Sequence, residues 1–391
     1  MAGERLRAAL QTYRKRYHKA SRDERTPLLD EFCAMSGYHR KYAITLLNRR
    51  DDEPDRPRRR RGPTYSAAAL KVIERIWLAA GCPWSVRLKA LLPLWLPWAR
   101  PRLKGLTGQV EREVLQISAR QIDRRLADKK RRRQRRGYGR TKPATLLRRQ
   151  IPVQAGFRGV CDPGCVEVDL VSHSGPSARG EFAYTLNLTD IVTSWCESRA
   201  VLGRGEHGVV AALNAIREGL PFAIQAMNSD NGSEFINHHL LAYTQEHGIA
   251  FTRSRPYKKD DNAHVEQKNW THVRRLLGWD RYDTPEQVAA MNALYAGELR
   301  LMMNLYQPGV RLIERQRVGT RLTRRYDPAQ TPLDRLVDWH GSRRLSAPVR
   351  ALIALREELD PFALSDRIDQ GLRALTPTPT PASNRRTPRG R

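Results

Sequence analysis

Three carboxylates are placed where they could act on one centre: Asp169, Asp230 and Glu266. Carboxylates brought together from strands and a helix bind hard divalent cations through oxygen, the ligand chemistry that Mg²⁺ prefers. Two such ions about 4 Å apart can activate an attacking oxygen and stabilise a leaving one. Metal-assisted phosphoryl transfer is one chemistry among several open to such a set. Taken singly, each of the three reads more readily as a cap or a solvated turn residue. Glu167 and Asp190 compete for the first position. Glu167 shares a strand face with Asp169, and Asp190 follows a second strand and reads as a turn residue.

The elements that must position these groups are legible as patterns. Residues 165–170 alternate apolar and acidic, which predicts a strand with Glu167 and Asp169 on the face opposite Val166 and Val168. Residues 223–227 predict a second strand that delivers Asp230 at its C-terminal end, where α/β sheets place their ligands. Asn231-Gly232 is a turn signal, and Ser233 with Glu234 suits a helix start, running to about Glu246. Residues 261–277 contain no breaker before Gly278 and predict a helix. It would bury Val265, Val273, Leu276 and Leu277 and leave Glu266 facing a sheet edge. Residues 182–189 predict a hairpin partner for 165–170, 195–201 a third strand, 206–218 a helix and 249–252 a fifth strand. The order is βββ-α-β-α-β-α.

Thirty-five residues separate Asp230 from Glu266, and Ser229-Asp230-Asn231-Gly232-Ser233-Glu234-Phe235 surrounds the second carboxylate. This Asp…Asp-x35-Glu pattern resembles the DDE transposases and retroviral integrases over about residues 160–300. Asp260-Asp261-Asn262-x3-Glu266-x2-Asn269 resembles the last motif of bacterial insertion-sequence transposases. The resemblance implies an α/β RNase H-like catalytic core, a mixed five-stranded sheet with helices. It also implies a catalytic, metal-binding triad of Asp169, Asp230 and Glu266 that takes two Mg²⁺ or Mn²⁺ ions, with Asp169 bridging both. Many relatives carry Lys or Arg seven residues beyond the glutamate, where this chain has Val273. Lys268, Arg274 and Arg275 are the nearest basic residues.

Charge supports a polyanionic partner. The net charge is +29 over 391 residues, and it is unevenly placed. Residues 1–150 carry 39 Lys and Arg against 14 Asp and Glu, residues 151–300 carry 14 against 18, and residues 301–391 carry 17 against 9. Basic flanks around a mildly acidic middle are the electrostatic footprint of nucleic acid binding. No segment reads as a basic amphipathic membrane anchor. The longest greasy stretch, 91–98, is short and broken by Pro93 and Pro97. The five cysteines lack paired spacing and read as reduced thiols, and His18, Cys33 and His39 do not match a zinc module. Met1-Ala2-Gly3-Glu4 leads into a charged helix rather than a secretory leader, so a cytoplasmic, nucleoid-associated protein is expected.

The rest of the chain divides by composition. Residues 1–50 outline all-α helix-turn-helix structure. Leu6, Leu10, Tyr13 and Tyr17 lie at helical spacing, Ser21 and Glu24 form a capping box, and Gly37 is a break. Arg40 and Lys41 open its last helix as DNA-contact candidates, although the same outline suits a small packing module. Residues 51–63 are a basic linker, and 64–150 form a second helical DNA-binding region with a basic connector. There Leu92–Pro101 predicts a loop or kinked connection. Ser118 caps a helix carrying Arg120, Arg124 and Arg125, with Ile122 and Leu126 inward. Residues 160–300 are the catalytic core, with Lys258, Lys259, Asn262, Lys268 and Arg274 as further DNA-contact candidates. A helix is expected over 285–305. Residues 301–375 form a C-terminal region in which 311–325 is basic without clear structure and 332–359 is helical in parts. Residues 376–391 read as a disordered basic tail.

The function expected from the resemblance is metal-dependent end cleavage and strand transfer on double-stranded DNA. The substrates would be an insertion element's terminal inverted repeats and a target, and the protein would act as a homo-oligomer assembled on DNA. An RNase H-like nuclease without strand transfer, and a catalytically inactive DNA-binding repressor, are the alternatives.

Overall fold

The computed structural model describes residues 2–48, 65–132, 153–154, 162–203, 205–229, 238–254, 263–318 and 321–378. The chain forms two compact units, Met1–Thr64 and Tyr65–Arg391. In the first, α1 (Ala2–Lys19), α2 (Arg22–Ser36) and α3 (Arg40–Asn48) close over Tyr17, Leu29, Phe32, Ala43 and Leu47. The Glu24 carboxylate accepts the backbone N–H and the hydroxyl of Ser21, both at 2.8 Å, which fixes the start of α2. Gly37, at φ +68°, ends it and donates its N–H to the Cys33 carbonyl. The linker 51–63 and the connector beyond residue 132 lie outside the described residues.

The second unit begins with α4 (Ala67–Ala79), α5 (Ser85–Ala99), α6 (Gly108–Gln116) and α7 (Ala119–Arg132). The α5 helix extends the sequence reading, which ended it at Leu91: it continues through Pro93 and Pro97 to Ala99, where a loop or kinked connection was expected. Its buried face explains why. Leu88, Leu91, Leu92, Trp95 and Leu96 are each 3% exposed or less. Burying five large apolar side chains is worth roughly 10 kcal/mol. Two prolines inside a helix cost roughly 6 kcal/mol. Trp95 meets Tyr306 and Phe362 edge-on, with centroids 6.4 and 5.0 Å apart, so these helices share one core with the C-terminal elements.

The sheet is built from β1 (Val153–Gln154), β2 (Cys165–Ser172), β3 (Ala183–Asp190), β4 (Cys196–Leu202), β5 (Ala226–Ser229) and β6 (Ala250–Ser254), in the order β1-β6-β5-β2-β3-β4. Strands β2, β3 and β4 pair antiparallel, and β2, β5, β6 and β1 pair parallel. Helices α8 (Glu206–Gly219) and α9 (His238–Glu246) follow β4 and β5. Val166, Val168, Leu186, Leu188 and Met227 pack in one core with Leu213, Ile216 and Leu240 from these helices. This is the mixed five-stranded RNase H-like arrangement expected, with the two-residue β1 added at the edge. Strand β5 begins three residues later than predicted. Gly164 is why. At φ +111° a Cβ there would sit 2.3 Å from the Ala223 carbonyl oxygen, and its own carbonyl accepts the Gln225 N–H. That close approach occupies 223–225 as a lead-in and delays ladder pairing to Ala226.

The expected helix 261–277 appears as α10 (Ala263–Lys268), a π-helical segment (Asn269–Arg274) and α11 (Arg275–Leu277). Beyond it, α12 (Pro285–Leu294) continues into two more π-helical segments, Tyr295–Leu299 and Met302–Tyr306. The stretch 311–325, basic and without clear structure in the sequence, is a β-hairpin: β7 (Leu312–Val318) and β8 (Arg321–Tyr326). Alternation was hidden there because arginines occupy positions on both faces. Helices α13 (Pro332–His340), α14 (Ala347–Glu358) and α15 (Pro361–Ala374) complete the unit. Of the expected tail, 379–391 lie outside the described residues, and Thr378 is bonded to Arg281 and Asp283.

Asp327 clamps the root of the hairpin. Its carboxylate accepts the Arg311 N–H at 2.6 Å, Arg311 Nε at 2.9 Å and both terminal nitrogens of Arg335. Burial alone would raise the Asp327 pKa, but the bonds from Arg335 and Arg311 outweigh it and hold the carboxyl below its ordinary value. Asp327→Ala strands the buried Arg335 charge and is expected to cost about 3–5 kcal/mol in urea unfolding. A folded-state pKa held low gives stability that is present above the unfolded value of about 3.9 and lost as pH falls through the folded one. The gap between wild type and Asp327→Ala should therefore narrow below about pH 4.

Candidate active site

Strand β2 lies between β5 and β3, and it turns Glu167 and Asp169 to the face opposite Val166 and Val168. Glu167 is 3% exposed. Its Oε2 accepts the backbone N–H groups of His264 and Val265, both at 2.9 Å. These are first-turn donors of α10 with no partner inside the helix, and the positive end of the helix dipole favours a carboxylate there. Glu167 is thus a clasp between β2 and α10, a role different from the one for which it competed with Asp169.

Asp169 is held two residues further along. Oδ1 accepts the Leu170 N–H at 2.8 Å, and Oδ2 accepts the Asn269 amide at 2.6 Å. Because a carboxylate only accepts, the Asn269 oxygen must point the other way, and it takes the Asn187 amide at 2.9 Å. The Asn187 oxygen then takes the Ser198 hydroxyl and the Cys196 thiol, both at 3.0 Å. Asn187 is the register partner of Asp169 on β3, and Ser198 is that of Asn187 on β4. A relay of defined polarity therefore crosses three strands and ends on Asp169.

Glu266 lies on α10 between the two fastenings, with Val265 and Val273 fully buried and its own side chain exposed. Eight residues apart, Val265 and Val273 would be about 80° out of phase on a straight α-helix. The wider π-helical turn at 269–274 brings them toward one side and presents Asn269 to Asp169. Asp230 lies outside the described residues. The last described residue of β5, Ser229, pairs in register with Val168, next to Asp169.

The other candidates separate. Asp190 is buried and serves the β3–β4 turn: it accepts the Gly164 N–H at 2.8 Å and the Thr193 N–H and hydroxyl at 2.7 Å. Burial pushes its pKa up against those bonds. Lys268 is half-buried, and desolvation lowers its pKa to about 8. Arg274 lies 4.1 Å over the Trp279 ring, and burial lowers its pKa to about 10. Lys258, Lys259 and Asn262 lie outside the described residues. In the first unit Arg40 is paired with Asp30, and Lys41 is exposed. Arg120, Arg124 and Arg125 are exposed on α7, whose Ile122 and Leu126 are buried, and Arg124 bonds Gln121 at 2.5 Å.

Sequence reading missed three things. Glu167 is an anchor, Asn269 orients Asp169, and Trp270 stands 51% exposed one turn beyond Glu266. The Glu266-x2-Asn269 spacing was the available signal for Asn269, since residues three apart share a helix face. For holding a metal, Asp169 and Glu266 offer hard oxygen donors, which suit Mg²⁺ or Mn²⁺. Among the described residues no three His, Cys, Asp or Glu side chains form a metal-sized cluster. Glu167→Ala leaves the His264 and Val265 donors unpaired in a buried setting. It should lower stability by about 2 kcal/mol or more, read as a shift of the urea midpoint.

Residues 160–259 match the Integrase core domain family, a span that holds Asp169 and Asp230 and stops short of Glu266. The chain is 39% identical over 327 residues to "Uncharacterized protein y4rM" of Sinorhizobium fredii (strain NBRC 101917 / NGR234), covering 82% of this chain and 92% of that protein. Among solved structures, the catalytic core domain of BIV integrase is similar over 46% of this chain and 99% of its own. That match has 15% identity and a TM-score of 0.30, too distant to bear on chemistry. With an integrase core at its centre and y4rM matched along most of its length, the chain belongs to the DDE transposase and retroviral-integrase superfamily, in one family with y4rM.

Proposed function

We propose that the protein is a transposase that cleaves the ends of an insertion element and joins them to target DNA. The observation that carries the reading is the double fastening of β2 to the Glu266 helix. Glu167 holds His264 and Val265, and Asn269 holds Asp169, with Glu266 between. Two acidic side chains from distant parts of the chain are thereby kept on one rigid frame, as a site that works by positioning requires.

Asp169, Asp230 and Glu266 would hold two divalent ions, Mg²⁺ or Mn²⁺, which when bound neutralise phosphate charge and acidify the attacking hydroxyl. In the first reaction, a water oxygen attacks phosphorus at the element end, the P–O3′ bond breaks, and a 3′-OH is freed. In the second, that 3′ oxygen attacks a target phosphorus and displaces the target's own 3′ oxygen, so phosphodiester bonds are exchanged without any covalent enzyme intermediate. Asn269 is a positioning residue here: it fixes the Asp169 carboxylate through its amide. The exposed arginines of α7, together with Arg40 and Lys41, would bind the terminal inverted repeats as double-stranded DNA. The chain would act as a homo-oligomer on that DNA.

The test incubates the full chain with a duplex of the element's end and a supercoiled target plasmid, in Mg²⁺ or Mn²⁺. Joined product is expected. Nicks without joined product would replace this reading with that of a nuclease. DNA binding without either, unaltered by Asp230→Asn, would replace it with that of a repressor. Asp169→Asn and Glu266→Gln should lower both reactions by about a thousandfold or more with the melting temperature within about 2 °C of wild type. Asn269→Ala should lower turnover by about 10–100-fold and raise the metal concentration needed for half-maximal rate.

A further inference from the structure

The first turn of α5 joins two parts of the molecule. On one side the Ser85 hydroxyl donates to the Asp123 carboxylate of α7 at 2.6 Å. On the other, Arg275 of α11 donates to the carbonyls of Gly81 and Cys82, just before α5. Arg87 stands at this junction. Its guanidinium lies 5.7 Å over the Trp84 ring, and Trp84 is 70% exposed. The Arg87 Nε is sealed from solvent and has no hydrogen-bond partner. An arginine that merely buries its stem keeps its whole guanidinium in water, so the sealed nitrogen needs another reason. The charges near it share its sign. Burial first, and then the Arg275 charge, push the Arg87 pKa below its ordinary value, and the Arg87 charge acts in turn on Lys268 and His272. Among the described residues no carboxylate pairs with Arg87 or Arg275. A half-buried charge beside like charges costs stability unless something matches it.

We propose that Arg87 and Arg275 hold one backbone phosphate of DNA at the junction of α5 with the Glu266 helix, and that Trp84 keeps the Arg87 guanidinium in place. The planar fork of a guanidinium fits phosphate oxygens two at a time, and a phosphate between two arginines removes their repulsion. Position and charge argue for DNA as its source. Arg120, Arg124 and Arg125 are exposed on α7, and Glu266 is exposed on α10. The junction is bonded to α7 through Ser85 and to the helix that follows Glu266 through Arg275, so a duplex running from one to the other crosses it. Residues 1–150 also carry 39 Lys and Arg against 14 Asp and Glu, a field that draws in a polyanion. A phosphate contact reads no base, but it fixes register. This one sets the register of the duplex on the helix that bears Glu266. The DNA occupant rests on the function proposed above, whereas the anion site is assigned from its own side chains.

The test measures binding of the full chain to a labelled duplex of the element's end, by fluorescence anisotropy over a range of salt concentrations. Arg87→Gln should weaken binding by about 5–10-fold and flatten the plot of log affinity against log salt by about 1. Its melting temperature without DNA should hold or rise, since a repulsion is removed. Arg87→Lys should recover the salt slope but only part of the affinity, because lysine lacks the fork. Trp84→Ala should weaken binding with the slope kept. In ethylation interference, one phosphate whose modification blocks wild-type binding should become indifferent in Arg87→Gln. Unchanged affinity, slope and interference pattern in Arg87→Gln would overturn the clamp and leave the proposed function standing. Weaker binding matched by a lower melting temperature, with every phosphate still required as in wild type, would make Arg87 a packing residue and also overturn it. Inorganic phosphate that raises the melting temperature of wild type but not of Arg87→Gln, with duplex binding equal in the two, would assign the site to a free anion instead. A wild-type chain that fails to bind the duplex would sink both the clamp and the transposase reading.

Discussion

A buried carboxylate on a helix N-terminus holds this fold to its chemistry. Glu167 brings a negative charge into a site that is 3% exposed, a placement that is costly unless the charge is matched. The first-turn N–H groups of α10 match it with two hydrogen bonds and the end of the helix dipole. The exchange is mutual, because those donors would otherwise be unsatisfied. It fixes both the height of α10 along β2 and its rotation. Glu266, one residue beyond Val265, has its direction set as a consequence.

The second fastening works by polarity rather than charge. From Ser198 and Cys196 to Asn187, to Asn269 and to Asp169, each group donates to the next, and the carboxylate, which only accepts, sets the direction of the chain. The π-helical turn belongs to the same device. It lets the helix bury Val273 in line with Val265 while Asn269 reaches the sheet. An uninterrupted α-helix over 263–277 would have to give up one of these contacts.

The flanking helices answer a different need. The sheet's second face must be covered, and the apolar surface of α4–α7 must be buried somewhere. Trp95, Tyr306 and Phe362 show both demands met in one core, which joins residues before the sheet to residues long after it. None of the described helices is long and apolar enough to cross a membrane. Where packing energy is abundant, local rules yield, as at Pro93 and Pro97. Where it is scarce, as in the β7–β8 ribbon, a carboxylate clamped between two guanidiniums supplies the anchor.

The succession of strands and helices along the core was legible because it rests on local periodicity. Alternation at 165–170 and the run without a breaker before Gly278 each constrain only their own backbone. The start of α2 could be named from the Ser21 and Glu24 capping box. By itself, then, the sequence determined which segments are strands and helices in the core. It could not determine that Glu167 serves as an anchor, that Asn269 faces Asp169, that α5 survives its prolines or that 311–325 folds into a ribbon. Each of those depends on partners between about ten and several hundred residues away, or on the balance between burial and backbone cost. Such terms have no signature in a window of neighbouring residues, and only the tertiary structure decided them.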